Sequence, residues 1–200
     1  MAAAVISTSS ETWAETLPRR GYAAILALIL TESAFFSIFV VTYIFYSGKS
    51  LSGPFPREVL LLSTPVVNTI CLLSSSVTIV WAIRSLHRGS VRAFVFWWLV
   101  TFVLGLEFLA GTAFEWRRLI YHEGFTITTN LFGTTFYSLV GLHAAHVTIG
   151  LFLILVVMIL TVGGYVNERH VYRTDVLSWY WHFVDAVWVV VFLTVYVICR

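Results

Sequence analysis

Two hundred residues, 59% hydrophobic and only 11% charged, give a mean hydropathy of +0.89, well above that of water-soluble domains. The formal net charge of +2 is scattered over connecting segments and gathers on no single face, which argues against a nucleic-acid partner. Cys71 lies inside an apolar run and Cys199 at the end of another, a placement that suits neither a disulfide framework nor a metal-ligand set.

Residues 1–21 read as a tail. Glu11 and Glu15 precede Arg19 and Arg20, the opposite of the basic start and short apolar core of a cleaved signal. From residue 22 to 200 the chain shows no internal repeat and no low-complexity tract, so it reads as one membrane domain. A hydrocarbon core about 30 Å thick takes about 20 helical residues, because the helix rises about 1.5 Å per residue and satisfies its own backbone. Five segments meet that length, near residues 22–46, 59–83, 94–114, 131–162 and 176–199. The predicted fold is therefore all-α, a polytopic bundle of five transmembrane helices. The fourth segment exceeds the bilayer and is expected to tilt or project.

The connections, such as "SGKSLSGPFPRE" and "GGYVNERHVYRTD", are short and rich in Gly, Pro, Asn and charge. An odd number of spans puts the termini on opposite faces. The face of the N-terminus carries Arg19, Arg20, Arg84, Arg88, Arg92, Arg169 and Arg173, against Lys49, Arg57, Arg117, Arg118 and Arg200 on the other. Positive charge favours the cytoplasm, so the N-terminus is expected inside and the C-terminus outside.

Within the spans, ionisable groups stand out. Glu32 lies ten residues past Tyr22, about 15 Å deep at helical rise, where a carboxyl is protonated or paired and turned toward protein or water. It is either a proton-linked or partner-contacting group or the donor of one interhelical hydrogen bond. Glu107, Gly111 and Glu115 follow at i, i+4 and i+8 along one helix face, with Glu107 expected to be buried and Glu115 to stand at the interface.

His143 and His146 share a face of the fourth helix and could offer two imidazoles to a metal or haem, but a third ligand has no sequence signal, and interhelical hydrogen bonding is the simpler reading. His182 and Asp185, three apart in the fifth span, can bond within their helix, beside Trp179, Tyr180, Trp181 and Trp188. Ser/His/Asp catalysis fits poorly, since neither a strained-turn serine nor oxyanion donors are evident.

Taken together, these motifs resemble subunit III of the haem-copper terminal oxidases, in its short bacterial five-helix form, over almost the whole chain. "WYWHFVDAVWVVVF", with Trp181, is similar to the final helix of that family. "TESAFF" resembles its acidic motif and places Glu32 on the carboxyl known there for its reactivity toward carbodiimide. "PVVNTICLLSSSVTIVWAIRSLHRG" matches through Pro65, Asn68, Thr69, Leu72 and Trp81, "GLEFLAGTAFEW" through Gly105, Phe108 and Glu115, and "FGTTFYSLVGLHAAHVTIG" through Gly141, His143, His146 and Gly150. Three positions depart from the pattern: Ser76 and Ala144 stand where many members have glycine, and Thr112 where many have glutamine. Glu107 lies outside the pattern.

The resemblance implies a noncatalytic core subunit of a proton-pumping respiratory oxidase that reduces oxygen to water, in the bacterial inner membrane. It implies that this chain binds no cofactor, and that haem and copper belong to partner subunits. Subunits I and II and phospholipids are the implied partners, and a supercomplex with a cytochrome c reductase is compatible with it. Glu32 would support proton uptake, while His143, His146, His182 and Asp185 would form a buried polar network that fixes helix packing. Cytochrome c is the expected electron donor, with quinol oxidase or an accessory subunit of nitric-oxide reductase as alternatives. A free-standing transporter or channel is a different class, and would be expected to show broken helices or inverted repeats, which this sequence lacks.

Overall fold

The computed structural model describes residues 3–49, 53, 60, 62–166 and 171–199, with side chains from residue 21 onward. Helices α1 (Ala3–Tyr46), α2 (Ser63–His87), α3 (Val91–Tyr121), α4 (Leu131–Val162) and α5 (Val171–Phe192) follow in order, and α5 runs into a π-helical turn, Leu193–Ile198. Among the described residues there is no strand. Five helical stretches are long and apolar enough to cross a membrane, Gly21–Tyr46, Ser63–His87, Val91–Tyr121, Leu131–Val162 and Val171–Ile198.

The fourth span has the bounds predicted from sequence, because Asn130 caps it: its Oδ1 accepts from Gly133 N at 2.8 Å. The others differ at their ends. α2 starts at Ser63, not near 59, which keeps Pro65 in the first turn, where its missing N–H costs no ladder bond. α3 extends beyond 94–114 in both directions. Its end is set by Gly124, whose φ of +60° is left-handed, and charge alone does not stop a helix that has reached water. α5 begins five residues before 176, and Asp175 in its first turns accepts a 2.6 Å hydrogen bond from Tyr22 of α1. α1 extends N-terminally through the residues read as a tail.

The helices form one layered bundle. α2 lies along α3, α4 contacts α3 and α1, and α5 packs on α2, α4 and α1. α1 is peripheral: of residues 21–46 only Phe36 and Tyr43 are buried, while Leu30, Ile38, Val41 and Phe45 face outward. Hydrophobic burial cannot drive helices together in lipid, so close packing and interhelical hydrogen bonds must do so. The tryptophans supply both. Trp98 Nε1 donates to Ile154 O (2.9 Å), Trp181 Nε1 to Ser75 Oγ (2.8 Å) and Trp188 Nε1 to Thr69 Oγ1 (2.9 Å).

Candidate functional site

The residues singled out from sequence fall into separate clusters. Glu32 on α1 meets His146 on α4, with Oε2 3.2 Å from Nε2. The other ring nitrogen, Nδ1, lies 2.8 Å from the Leu142 carbonyl, which can only accept, so Nδ1 carries a hydrogen. Two states then satisfy the contact. A neutral His146 accepts at Nε2 from a protonated Glu32, or an imidazolium donates to a carboxylate. Both arrangements contain the same number of protons and carry no net charge, the condition that favours such a pair at this depth.

The pair borders an apolar groove of about 460 Å³ between α1, α4 and α5, walled by Ile25, Leu28, Val156 and Leu177, with Arg173 among its lining residues. Tyr180 ties the site to α5 by donating to the His146 carbonyl at 3.2 Å.

His143, one turn earlier, does not join this contact. It is fully buried, its ring 5.0 Å from that of Trp188 and 5.6 Å from that of Phe108, and neither nitrogen has a hydrogen-bond partner among the described residues. The two histidines thus share a helix but not a ligand position: aromatic rings enclose one, and both nitrogens of the other are committed. Among the described residues, no group of three or more His, Cys, Asp and Glu converges on a metal-sized site.

His182 and Asp185 meet through a third residue. Ser76 of α2 donates to Asp185 Oδ2, and its Oγ lies 3.0 Å from His182 Nδ1. A direct bond within α5 is therefore replaced by a bridge between helices. The signal was present in the run "SSS" at 74–76, two of whose hydroxyls, Ser75 and Ser76, turn toward α5.

The carboxyls of α3 differ from expectation. Glu115 is only 7% exposed and accepts from Tyr196 Oη at 3.2 and 3.3 Å, because α3 continues past 114 and the π-helical turn brings Tyr196 over it. A π-turn after a long apolar helix carries no sequence signal of its own. Glu107 is half-buried, with Oε2 sequestered and without a hydrogen-bond partner among the described residues.

The packing residues lie where helices approach closely. Pro65 opens α2, and Thr69 receives Trp188. Asn68 is buried against Gly111 of α3, and its amide, oriented to donate to Thr64 O (3.2 Å), accepts from Thr112 N (3.3 Å). Trp181 lies across Gly105 and Gly150, where an added Cβ would meet its ring at 2.9 and 2.7 Å, and Gly141 faces Trp116.

Comparison with known proteins decides the lineage of this arrangement. The family description "Cytochrome c oxidase subunit III" matches residues 20–200, from the start of the first span onward. The chain belongs to this family. As a subunit III family member it is similar to cytochrome c oxidase subunit 3 of Alkalihalophilus pseudofirmus, 34% identical over 82% of this chain and 80% of that protein. The protein of the same name from Bacillus sp. (strain PS3) is 35% identical over 82% of this chain and 79% of its own length. The elephant protein, from Loxodonta africana, is 36% identical over 68% of this chain but only 50% of its own length. The subunit III match spans all five apolar helices, so the chain is a multi-pass membrane protein.

Proposed function

We propose that this chain is subunit III of a bacterial inner-membrane respiratory oxidase, a noncatalytic member of a complex that reduces oxygen to water and translocates protons. The family match along residues 20–200 carries this reading, and the names of the relatives favour cytochrome c as donor. Residues 22–200 act as one membrane domain beside subunits I and II, which hold the haems and copper. The groove near Glu32 suits a phospholipid, with acyl chains along its apolar walls and the headgroup at Arg173.

In this reading Glu32 supports proton uptake by the complex, and its hydrogen-bond contact with His146 is what suits it to the role. Glu32→Gln tests this. The amide N–H₂ can still donate to His146 Nε2, so the bundle assembles, but the pair can no longer pass its proton. Initial oxygen consumption is expected to equal wild type while activity decays sooner during sustained turnover. Equal initial rates together with equal lifetimes would remove Glu32 from the functional residues.

The N-terminus lies inside, following Arg84, Arg88 and Arg92 around the turn between α2 and α3. With Cys71 replaced by alanine and Cys199 by serine, a membrane-impermeant maleimide added to intact cells should label Glu123→Cys and leave Arg88→Cys unmodified. Labelling of Arg88→Cys alone would invert the topology.

A further inference from the structure

Ser76 of α2 supplies the hydroxyl that connects His182 to Asp185 on α5. A hydroxyl has one hydrogen and lone pairs to accept with. Once that hydrogen is given to Asp185 Oδ2, the oxygen accepts from His182 Nδ1–H, and the imidazole is left with its lone pair at Nε2. The two ends of this chain differ sharply in access. His182 is half-buried, and Nε2 has no hydrogen-bond partner among the described residues. Asp185 is 2% exposed, and its Oδ1 is buried with no hydrogen-bond partner among the described residues.

We propose that His182, Ser76 and Asp185 form a proton-loading site, in which a proton entering at His182 Nε2 is stored on Asp185. The transfer balances. The new proton binds Nε2, the Nδ1 proton moves to Ser76 Oγ, and the former hydroxyl proton of Ser76 moves to Asp185 Oδ2. Three bonds to hydrogen form and two break, so the site gains one proton. The imidazole ends neutral in its other tautomer, its Nδ1 now accepting from Ser76. The buried carboxylate becomes a neutral acid, and Oδ1 changes from a bare anionic oxygen, expensive to leave unpaired, into a carbonyl oxygen that tolerates its apolar setting.

Among the described residues, no cation pairs with the carboxylate. α2 presents the hydroxyls of Thr69, Ser75 and Ser76 toward α5. α4 presents His143, enclosed by rings, and His146, paired with Glu32 of α1. Tyr22 of α1 is bonded to Asp175, seven residues before His182 on its own helix. Along α2 and α5 the nearest Lys or Arg are Arg84, eight residues from Ser76, and Arg173, nine from His182. The inference rests on these side chains and stands independently of the oxidase reading.

The test is a pH titration of the full chain, in whatever complex it purifies with, followed by infrared difference spectroscopy in H₂O and D₂O and by histidine ¹⁵N NMR. In the wild type, a carboxylic-acid C=O band missing from Asp185→Asn should grow as pH falls and shift in D₂O. The His182 signal should pass from the Nδ1–H to the Nε2–H tautomer over the same interval. In Ser76→Gly the two changes should occur separately. Should Asp185→Asn fail to assemble, Ser76→Ala, which removes only the hydroxyl, identifies the band by a change in its frequency. A wild-type Asp185 band that is constant with pH, or one that titrates while His182 keeps its tautomer, would overturn the proposal.

Discussion

Trp181→Ala is expected to destabilise the bundle more than any other single truncation, by about 3–5 kcal/mol on the scale of large aromatic deletions from close-packed interiors. Trp181 is completely buried, lies across the glycines of two other helices, Gly105 of α3 and Gly150 of α4, and donates to Ser75 of α2. One side chain therefore joins α5 to three neighbours. Deleting it opens a void that the rigid helices cannot close, and leaves the Ser75 hydroxyl short of a donor. Lipid does not reward apolar burial as water does, so the loss is mainly of packing contacts and of one interhelical bond, the terms that hold membrane helices together. Thermal unfolding in mild detergent, read by tryptophan fluorescence and near-UV dichroism, should show a large drop in midpoint. A midpoint within a degree or two of wild type would mean that Trp181 is not central to the bundle.

Gly111→Leu should be the second most damaging change. A Cβ at Gly111 would meet the amide atoms of Asn68 at 2.2 to 2.7 Å, and Asn68 is 2% exposed with both amide atoms engaged on Thr64 and Thr112. The amide has nowhere to retreat without losing those bonds. Overpacking alone costs about 1–3 kcal/mol even for small additions, and leucine adds a branched chain to a blocked position. The contact between α2 and α3 should loosen, seen as faster amide hydrogen exchange in 63–87 and 91–121 than in 131–162. Exchange equal to wild type in both helices would show that the crossing tolerates separation.

Sequence alone carried much of this architecture. The five spans follow from run length and hydropathy, because these are local properties of the chain. Helix ends were less legible, since Pro65 and Gly124 act through backbone geometry while an apolar tally registers only composition. The partners of buried groups were least legible of all. Glu32 and His146 are 114 residues apart, and Ser76 and Asp185 are 109 apart, separations at which no local spacing rule operates. His143 and His146 share a helix face, yet neighbouring helices place one ring among aromatics and the other against a carboxyl. Glu115 misled for a related reason: a charged residue near a span's end is ordinarily exposed, and only the π-helical turn of another helix covers it here.

Membership of the subunit III family makes one measurement the most direct test of the proposed function. The chain, tagged and expressed in its native membrane, should be purified in mild detergent, with every accompanying polypeptide identified and a reduced-minus-oxidised optical spectrum recorded. Recovery together with a large haem-bearing subunit and a copper-bearing partner is expected, in a preparation that consumes oxygen with reduced cytochrome c. Recovery of the chain alone and colourless, from membranes that retain an active oxidase, would contradict it.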